Sequence, residues 1–339
     1  MAFGCLGRKS RRRKAEKDTK ESARRLTRKE VQKLTVDFSR SRVIAFGGFS
    51  TVYLGKFPDS SLGAIKIIDT SSKRLHTMYK QELEILQRIR HDNIVKVLGY
   101  SDDEGVEEGV LVFEYVPNGT LQEKLHGNGG GSVLPWRNRM GIAFQLAQVL
   151  EYLHDKCDPQ IVHGDLKGSN ILLDSELNCK LCDYGSAKMG FSSTVQPPSS
   201  TATATAKNRT MMTMFGSPGY TDPHYLRTGI ATKKSDIYSL GVILLELITG
   251  LEAVSSDSNV RLISKAGPML KDESKVAGMV DRRLAAAGEF EVEEAKAMAS
   301  IAALCLGDSP SLRPTASDIL GIMRSKVPSI GFLFSTKKC

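Results

Sequence analysis

The hydrophobic positions change period at about Arg42 and again beyond Trp136. Between these points, VIAFGGFSTVYLGKF (43–57) and SLGAIKIID (61–69) alternate β-branched or aromatic residues with small ones around a Gly-rich centre, which predicts two neighbouring strands. In YKQELEILQRIR (79–90), Leu83, Leu86 and Ile89, with Ile85, fall at helical spacing. VKVLGY (95–100) and GVLVFEYV (109–116) read as further strands. Together these describe a small β-rich unit with one prominent helix. From Trp136 onward helical patterns dominate, beginning with RMGIAFQLAQVLEYLHDK (139–156), where Leu146, Leu150 and Leu153 share a stripe. Short strands fit NILLD (170–174) and CKLCD (179–183). The apolar run IYSLGVILLELITGLEAV (237–254) holds Glu246 and Glu252, which are costly in hydrocarbon, so a buried core helix is expected and no membrane span is counted. Residues 191–214 have no usable period and are rich in Ser, Thr and Pro, as a mobile loop would be.

Composition adds scale and charge. The 339 residues, 41% hydrophobic and 25% charged, are enough for two lobes around separate cores. The net charge of +9 is local: residues 1–42 hold 15 Lys and Arg against 5 Asp and Glu, while the rest hold 32 against 33. RKSRRRK and its surroundings carry few large apolar residues, so residues 1–37 are expected to form a basic, disordered arm. The six cysteines are scattered and no secretory apolar segment follows Met1, which favours a reducing, cytoplasmic compartment without disulfides. Cys179-x-x-Cys182 lacks a second pair and lies on an expected strand, so zinc is not expected there.

The chemistry gathers in IVHGDLKGSN (161–170), in DYG (183–185) and at Lys66. Asp165 can accept a proton from an attacking hydroxyl, Asn170 and Asp183 can hold a divalent metal, and Lys66 can tether phosphate oxygens. In this order and at these separations the set resembles the eukaryotic protein kinases, whose Gly-rich loop, strand lysine, catalytic loop and D-F-G motif follow one another. GGFSTVY, LVFEYVPNGTL, YLHDKCDPQIVHGDLKGSNILLD and KKSDIYSLGVILLELITG are similar to the plant receptor-like cytoplasmic kinases, relatives of the Pelle and interleukin-receptor-associated kinases. The resemblance implies an α+β, bilobal protein-kinase fold over 38–326. Its β-rich N-lobe with one main helix would span about 38–116, its mostly α-helical C-lobe about 117–326, and a tail would follow at 327–339. It also implies an ATP- and Mg²⁺-dependent Ser/Thr protein kinase, since Lys167 after Asp-Leu fits that branch. A pseudokinase scaffold, with the fold but little catalysis, is the alternative.

Carried over by motif, Asp165 would be the catalytic base and Lys167 a partner to the γ-phosphate. Asn170 and Asp183 would be the metal ligands, an oxygen set that suits Mg²⁺. Lys66 would bind the α- and β-phosphates and pair with Glu82, which lies off the apolar stripe of its helix. Ala45, Phe46, Gly47, Gly48, Phe49, Ser50 and Thr51 would form the loop over the phosphates. Ile44, Val52, Ala64 and Leu172 would sandwich adenine, Glu114 and Val116 would read its edge, and Phe113 would be the gatekeeper. His163 would brace the catalytic loop.

Several positions depart from the pattern. Gly164 stands where the family usually has an arginine that clamps an activation-loop phosphate, which implies a kinase of the class lacking that arginine. Ala45 and Ser50 replace outer glycines of the phosphate loop, and Tyr184 replaces phenylalanine. A-P-E becomes Asp222-Pro223-His224; the glutamate's usual partner would be Arg313, which Asp222 is expected to reach instead. Ser192, Ser193, Thr194, Thr210 and Thr213 are candidate phosphosites, whereas Ser217 is assigned a structural role near the acceptor hydroxyl. Protein substrates and an upstream receptor kinase are the implied partners. In the arm, Ala2 excludes N-myristoylation, while Cys5 beside the basic cluster suits S-acylation and an anionic plasma-membrane surface. Nuclear import and a merely solvated tail are the other readings. Nucleic-acid binding has no aromatic platform or folded basic domain behind it.

Overall fold

The computed structural model describes residues 23–103, 106–127, 132–190, 194–195 and 216–335. The basic cluster with Cys5, the glycines at 129–131, Ser192, Ser193, Thr210, Thr213 and Cys339 lie outside the described residues.

The chain enters on a short strand, β1 (Arg24–Arg25), and a helix, α1 (Arg28–Thr35). Thr27 caps that helix, its hydroxyl taking the Glu30 amide while the Glu30 carboxylate takes the Thr27 amide. The expectation of a disordered arm through residue 37 is therefore corrected from residue 23 onward. Leu26, Val31 and Leu34 bury themselves against Ile65, Val110 and Val112 of the sheet. An arm rich in Arg and Lys hides this because its few apolar residues gain burial only when a sheet face is present to receive them.

The strands β2 (Val43–Phe46), β3 (Ser50–Lys56) and β4 (Leu62–Asp69) lead into α2 (Lys73–Arg88). Then come β5 (Val97–Ser101) and β6 (Glu108–Glu114). They form one sheet in the order β1-β5-β6-β4-β3-β2, with β1 parallel to β5 and the other pairs antiparallel. Strand alternation sorts its residues by face: Val110 and Val112 lie in the core under α1, while Leu111 joins the core under α2. The α2 helix begins six residues earlier than its apolar period indicates, because Ser72 caps it and its first turns are not buried.

The second lobe is helical. After α3 (Leu121–His126), α4 (Trp136–Glu151) runs into a π-helical turn at Tyr152–Lys156. Short strands β7 (Gln160–Val162), β8 (Ile171–Leu173), β9 (Cys179–Leu181), β10 (Lys188–Gly190) and β11 (Thr194–Val195) carry the loops of interest. They lead to α5 (Pro223–Thr228), β12 (Ala231–Thr232) and α6 (Lys233–Thr249). The last is the expected core helix, buried on every side from Ser235 to Thr249. No helix among the described residues is long and apolar enough to cross a membrane.

There follow α7 (Leu262–Leu270), α8 (Val276–Met279), α9 (Arg282–Ala287), α10 (Val292–Cys305), α11 (Ala316–Lys326) and α12 (Phe332–Ser335), of which α7 and α10 pack on α6, and α11 on α4 and α10. One continuous core joins α2, α4, α6 and α10, so the lobes share buried surface beneath the cleft.

Because α1 is packed rather than free, Leu34→Ala should lower the unfolding free energy by about 2 to 5 kcal/mol, the usual range for such a truncation. Denaturant titration of both proteins measures this; an unchanged midpoint would mean that the segment is a loose arm.

Candidate active site

Lys66 sits in the middle of β4, in register with Val52 of β3 and Leu111 of β6. Its Nζ donates to Glu82 Oε1 and Oε2 at 3.0 and 3.2 Å, and to Asp183 Oδ1 at 2.9 Å. The α2 helix delivers Glu82 and the turn after β9 delivers Asp183. Glu82 is 3% exposed, so it belongs to the buried face of α2 rather than beside its apolar stripe. Burial alone would lower the affinity of Lys66 for its proton, but the Glu82 and Asp183 carboxylates more than offset this and hold it well above the usual lysine value. Burial pushes Glu82 up, with Lys66 opposing. The Lys66 charge holds Asp183 down at about 2. Asp183 is also left-handed, at φ 62°, a conformation an aspartate tolerates better than most residues.

A second cluster forms on the catalytic loop. Lys167 Nζ donates to Asp165 Oδ2 at 2.7 Å and to Ser217 Oγ at 2.8 Å, while Ser217 Oγ donates to Asp165 Oδ1 at 2.8 Å. Ser217 thus bridges the carboxylate and the ammonium of the loop. Asn170 Nδ2 donates to the Asp165 carbonyl at 2.9 Å, leaving its carboxamide oxygen outside that bond. The Cys182 amide and thiol both donate to the Asn170 carbonyl, at 2.9 and 3.3 Å, which ties the strand before Asp183 to the loop.

The loop itself hangs on a residue that sequence reasoning missed. Asp236, 1% exposed on α6, accepts the His163 amide at 2.8 Å, the Gly164 amide at 2.9 Å and His154 Nε2 at 2.8 Å. Burial would raise this carboxyl, but the His154 hydrogen bond and charge, with the loop amides, bring it below the usual range. The available signal was an acid, in KKSD, at the head of a run otherwise fit for a core; a charge there needs buried donors. His163 braces the loop as expected. Its Nδ1 accepts the Asp165 amide at 3.3 Å, leaving Nε2–H to donate to the Cys182 carbonyl at 3.2 Å. Glu246 likewise emerges as a junction, taking the Tyr220 hydroxyl at 2.9 and 2.8 Å and the Ala253 amide at 3.1 Å.

Gly164 has φ +79°, and a Cβ there would stand 3.0 Å from the Ser186 carbonyl oxygen. The backbone that places Asp165 is therefore one that glycine adopts without strain and a side chain would not.

The residues assigned to adenine lie on both lobes. Ala64 stands opposite Leu54 and Phe113 in the sheet, and Val116 is buried at the junction. The linker is pinned over β8 by the Asn118 amide to the Leu173 carbonyl and by the Leu173 amide to the Gly119 carbonyl, both 3.0 Å, which carries Leu172 beneath it. The Glu114 carboxylate is occupied by Lys180 Nζ and the Lys96 amide, each at 2.9 Å. The Gly-rich hairpin closes by the Gly47 amide on the Ser50 carbonyl at 2.7 Å, with Ala45 opposite Val52 and Phe46 opposite Thr51. Ile44, Phe46 and Phe49 of the hairpin are exposed.

Arg313 forks onto Asp222, Nη1 to Oδ2 at 2.7 Å and Nη2 to Oδ1 at 2.9 Å, with both side chains 1% exposed. The expected substitution of Asp222 for the missing glutamate is what the structure holds. Removing either partner would leave a buried charge, at a cost of roughly 3–5 kcal/mol.

The donor set fits a nucleotide with a divalent metal. Asp183 uses one oxygen for Lys66 and its side chain is 45% exposed, leaving the other oxygen open. No group of three or more His, Cys, Asp or Glu that could hold a metal occurs among the described residues.

A sheet-rich lobe over a helical one, with a lysine–glutamate pair above and an aspartate–lysine–asparagine loop below, defines a phosphoryl-transfer cleft. The protein kinase domain family matches residues 38–322. The chain belongs to the protein kinase family. It is similar to salt tolerance receptor-like cytoplasmic kinase 1 of Oryza sativa subsp. japonica, at 52% identity over 314 residues, covering 91% of this chain and 82% of that protein. A probable receptor-like protein kinase of Arabidopsis thaliana is 48% identical over 313 residues, covering 90% and 88%. A probable LRR receptor-like serine/threonine-protein kinase of the same plant is 37% identical over 297 residues, 88% of this chain and 32% of that longer protein.

The Tyr184 ring meets His163 edge-on at 4.9 Å and is 1% exposed, yet its hydroxyl has no protein partner. Tyr184→Phe should therefore raise the unfolding free energy by about 1–3 kcal/mol, the penalty of a buried orphan donor. A thermal or denaturant midpoint that falls instead would show that the hydroxyl is satisfied.

Proposed function

We propose that this chain is an active Ser/Thr protein kinase of the receptor-like cytoplasmic group, using ATP with Mg²⁺ and phosphorylating protein hydroxyls in receptor-linked signalling. The observation that carries the reading is the closed triangle of Asp165, Lys167 and Ser217, in which a hydroxyl already donates to the carboxylate assigned as base at 2.8 Å. An acceptor serine or threonine would meet the same carboxylate, which can take its proton as the new P–O bond forms. Lys167 holds that carboxylate and presents an ammonium toward the transferring phosphoryl group. Lys66, fixed by Glu82, tethers the α- and β-phosphates. Asn170 and the open oxygen of Asp183 would hold Mg²⁺, which when bound neutralises charge on the β- and γ-phosphates. The rival pseudokinase reading draws on Ala45, Gly164 and His224; against it, Arg313 retains a carboxylate in Asp222 and both polar clusters are complete.

Gly164 leaves no guanidinium to receive a loop phosphate, and the sequence relation to receptor-like kinases points to receptor partners upstream. The basic residues and Cys5 support attachment to an anionic membrane surface, one acyl chain and a polybasic patch being the two signals that stable anchoring needs. Membrane fractionation of Cys5→Ser should show a shift to the soluble fraction; unchanged partitioning rejects the acyl anchor.

The deciding experiment is transfer of γ-phosphate from ATP to the protein and a generic substrate. Asp165→Asn should reduce turnover roughly 10²–10⁴-fold, the usual worth of a positioned base. Fully dephosphorylated wild type should keep most of its turnover. Absence of labelling in wild type supports the scaffold reading, and an all-or-none dependence on one loop phosphate overturns the account of Gly164.

A further inference from the structure

Three consecutive residues at the end of β5 join the N-terminal strand to the helix that carries Glu82. The Tyr100 carbonyl accepts the Leu26 amide at 2.8 Å and so seats β1. The Ser101 carbonyl accepts the Tyr79 hydroxyl of α2, also at 2.8 Å. Asp102 faces both sides: Arg25 Nε lies 2.9 Å from its Oδ1, and Lys80 Nζ of α2 donates to its Oδ2 at 2.9 Å. That Oδ1 accepts no hydrogen bond, so the contact of Arg25 Nε with it is coulombic, while Arg25 Nη2 donates to the Asp102 carbonyl at 3.5 Å.

This ledge matters because of where α2 is otherwise held. No residue from Lys73 to Met78 is buried; Tyr79 is the first of the helix to be so, at 2% exposure. The ledge therefore anchors the helix at Tyr79 and Lys80, immediately before the turn that bears Glu82. Glu82 must reach Lys66 at 3.0 Å inside a buried site, where even a small displacement exchanges an ion pair for a desolvated charge. On the other side, β1 seats only because position 99 is glycine: a Cβ there would collide with Leu26 Cδ1 and stand 2.7 Å from the Arg24 carbonyl oxygen.

We propose that Arg25, Asp102 and Tyr79 are positioning residues for the Lys66–Glu82 pair, so that docking of β1 holds α2 where Glu82 meets the nucleotide-binding lysine. The inference rests on the kinase reading above. It gives the segment ahead of the family domain, from Arg24 onward, a positioning role for the nucleotide-binding lysine.

The test uses the full-length chain with ATP and magnesium, comparing wild type with Asp102→Asn, Arg25→Gln, the double variant, Asp102→Glu and Gly99→Val. Asp102→Asn and Arg25→Gln should each raise KM for ATP roughly three- to five-fold, about what an exposed ion pair permits, without changing KM for the protein substrate. The double variant should show no further loss beyond the larger single effect, and Asp102→Glu should recover wild-type behaviour. The gap between wild type and Asp102→Asn should close at about 1 M salt, where charges are screened within roughly 3 Å. Gly99→Val, which unseats β1, should give the largest loss and speed amide exchange across residues 73–88. Folded variants with lower melting temperature but unchanged KM for ATP and unchanged α2 exchange would reduce the ledge to structural support and overturn the proposal. If wild type shows no turnover, the kinase reading fails, while exchange in α2 still decides whether β1 positions that helix.

Discussion

A carboxylate buried in the first turn of the core helix organises the catalytic loop. Asp236 has almost no contact with solvent, so its charge is tolerable only where protein donors surround it. It obtains them from the amides of His163 and Gly164 and from His154. That requirement dictates the course of the catalytic loop: two successive amides must turn inward, the second at a left-handed glycine, and Asp165 is carried out toward the cleft. A helix buried from Ser235 to Thr249 therefore supplies the electrostatic fixture for the polar catalytic loop.

The upper cluster works by a different balance. Lys66 meets Glu82 and Asp183 from separate elements, and burial penalises each of the charges. The pair is stable because the carboxylates together outweigh the desolvation of the ammonium, a condition that fails if α2 moves away. A site of this kind is conditional on helix position in a way that the lower loop, fixed to the core helix, is not.

The departures from the family pattern find local physical reasons. Glycine at 164 suits a backbone whose dihedral and surroundings leave little room for a side chain. A histidine at 224 is tolerated because the neighbouring Asp222 already neutralises Arg313 and also takes the His224 amide at 2.9 Å. Tyr184 is the exception: its hydroxyl is carried into the core without a protein partner.

The sequence by itself determined most of the strands, the core helix and the chemistry-bearing positions, since each is encoded locally. Alternation marks β3, β4 and β6, a Gly-rich turn joins β2 to β3, and the order of Lys66, Asp165, Asn170 and Asp183 gave the phosphoryl-transfer set. Only the tertiary structure decided the burial of Glu82, the anchoring role of Asp236, the Asp222–Arg313 fork and the packing of α1. Each of these depends on partners far apart in the chain. Leu26 and Val31 look like stray apolar residues in a basic arm until the outer face of a sheet stands beside them, and an aspartate at the head of an apolar run has no evident use until two loop amides turn toward it. Local pattern reports which groups can form an element; desolvation and pairing across the fold decide which of them a charge or a methyl group finally meets.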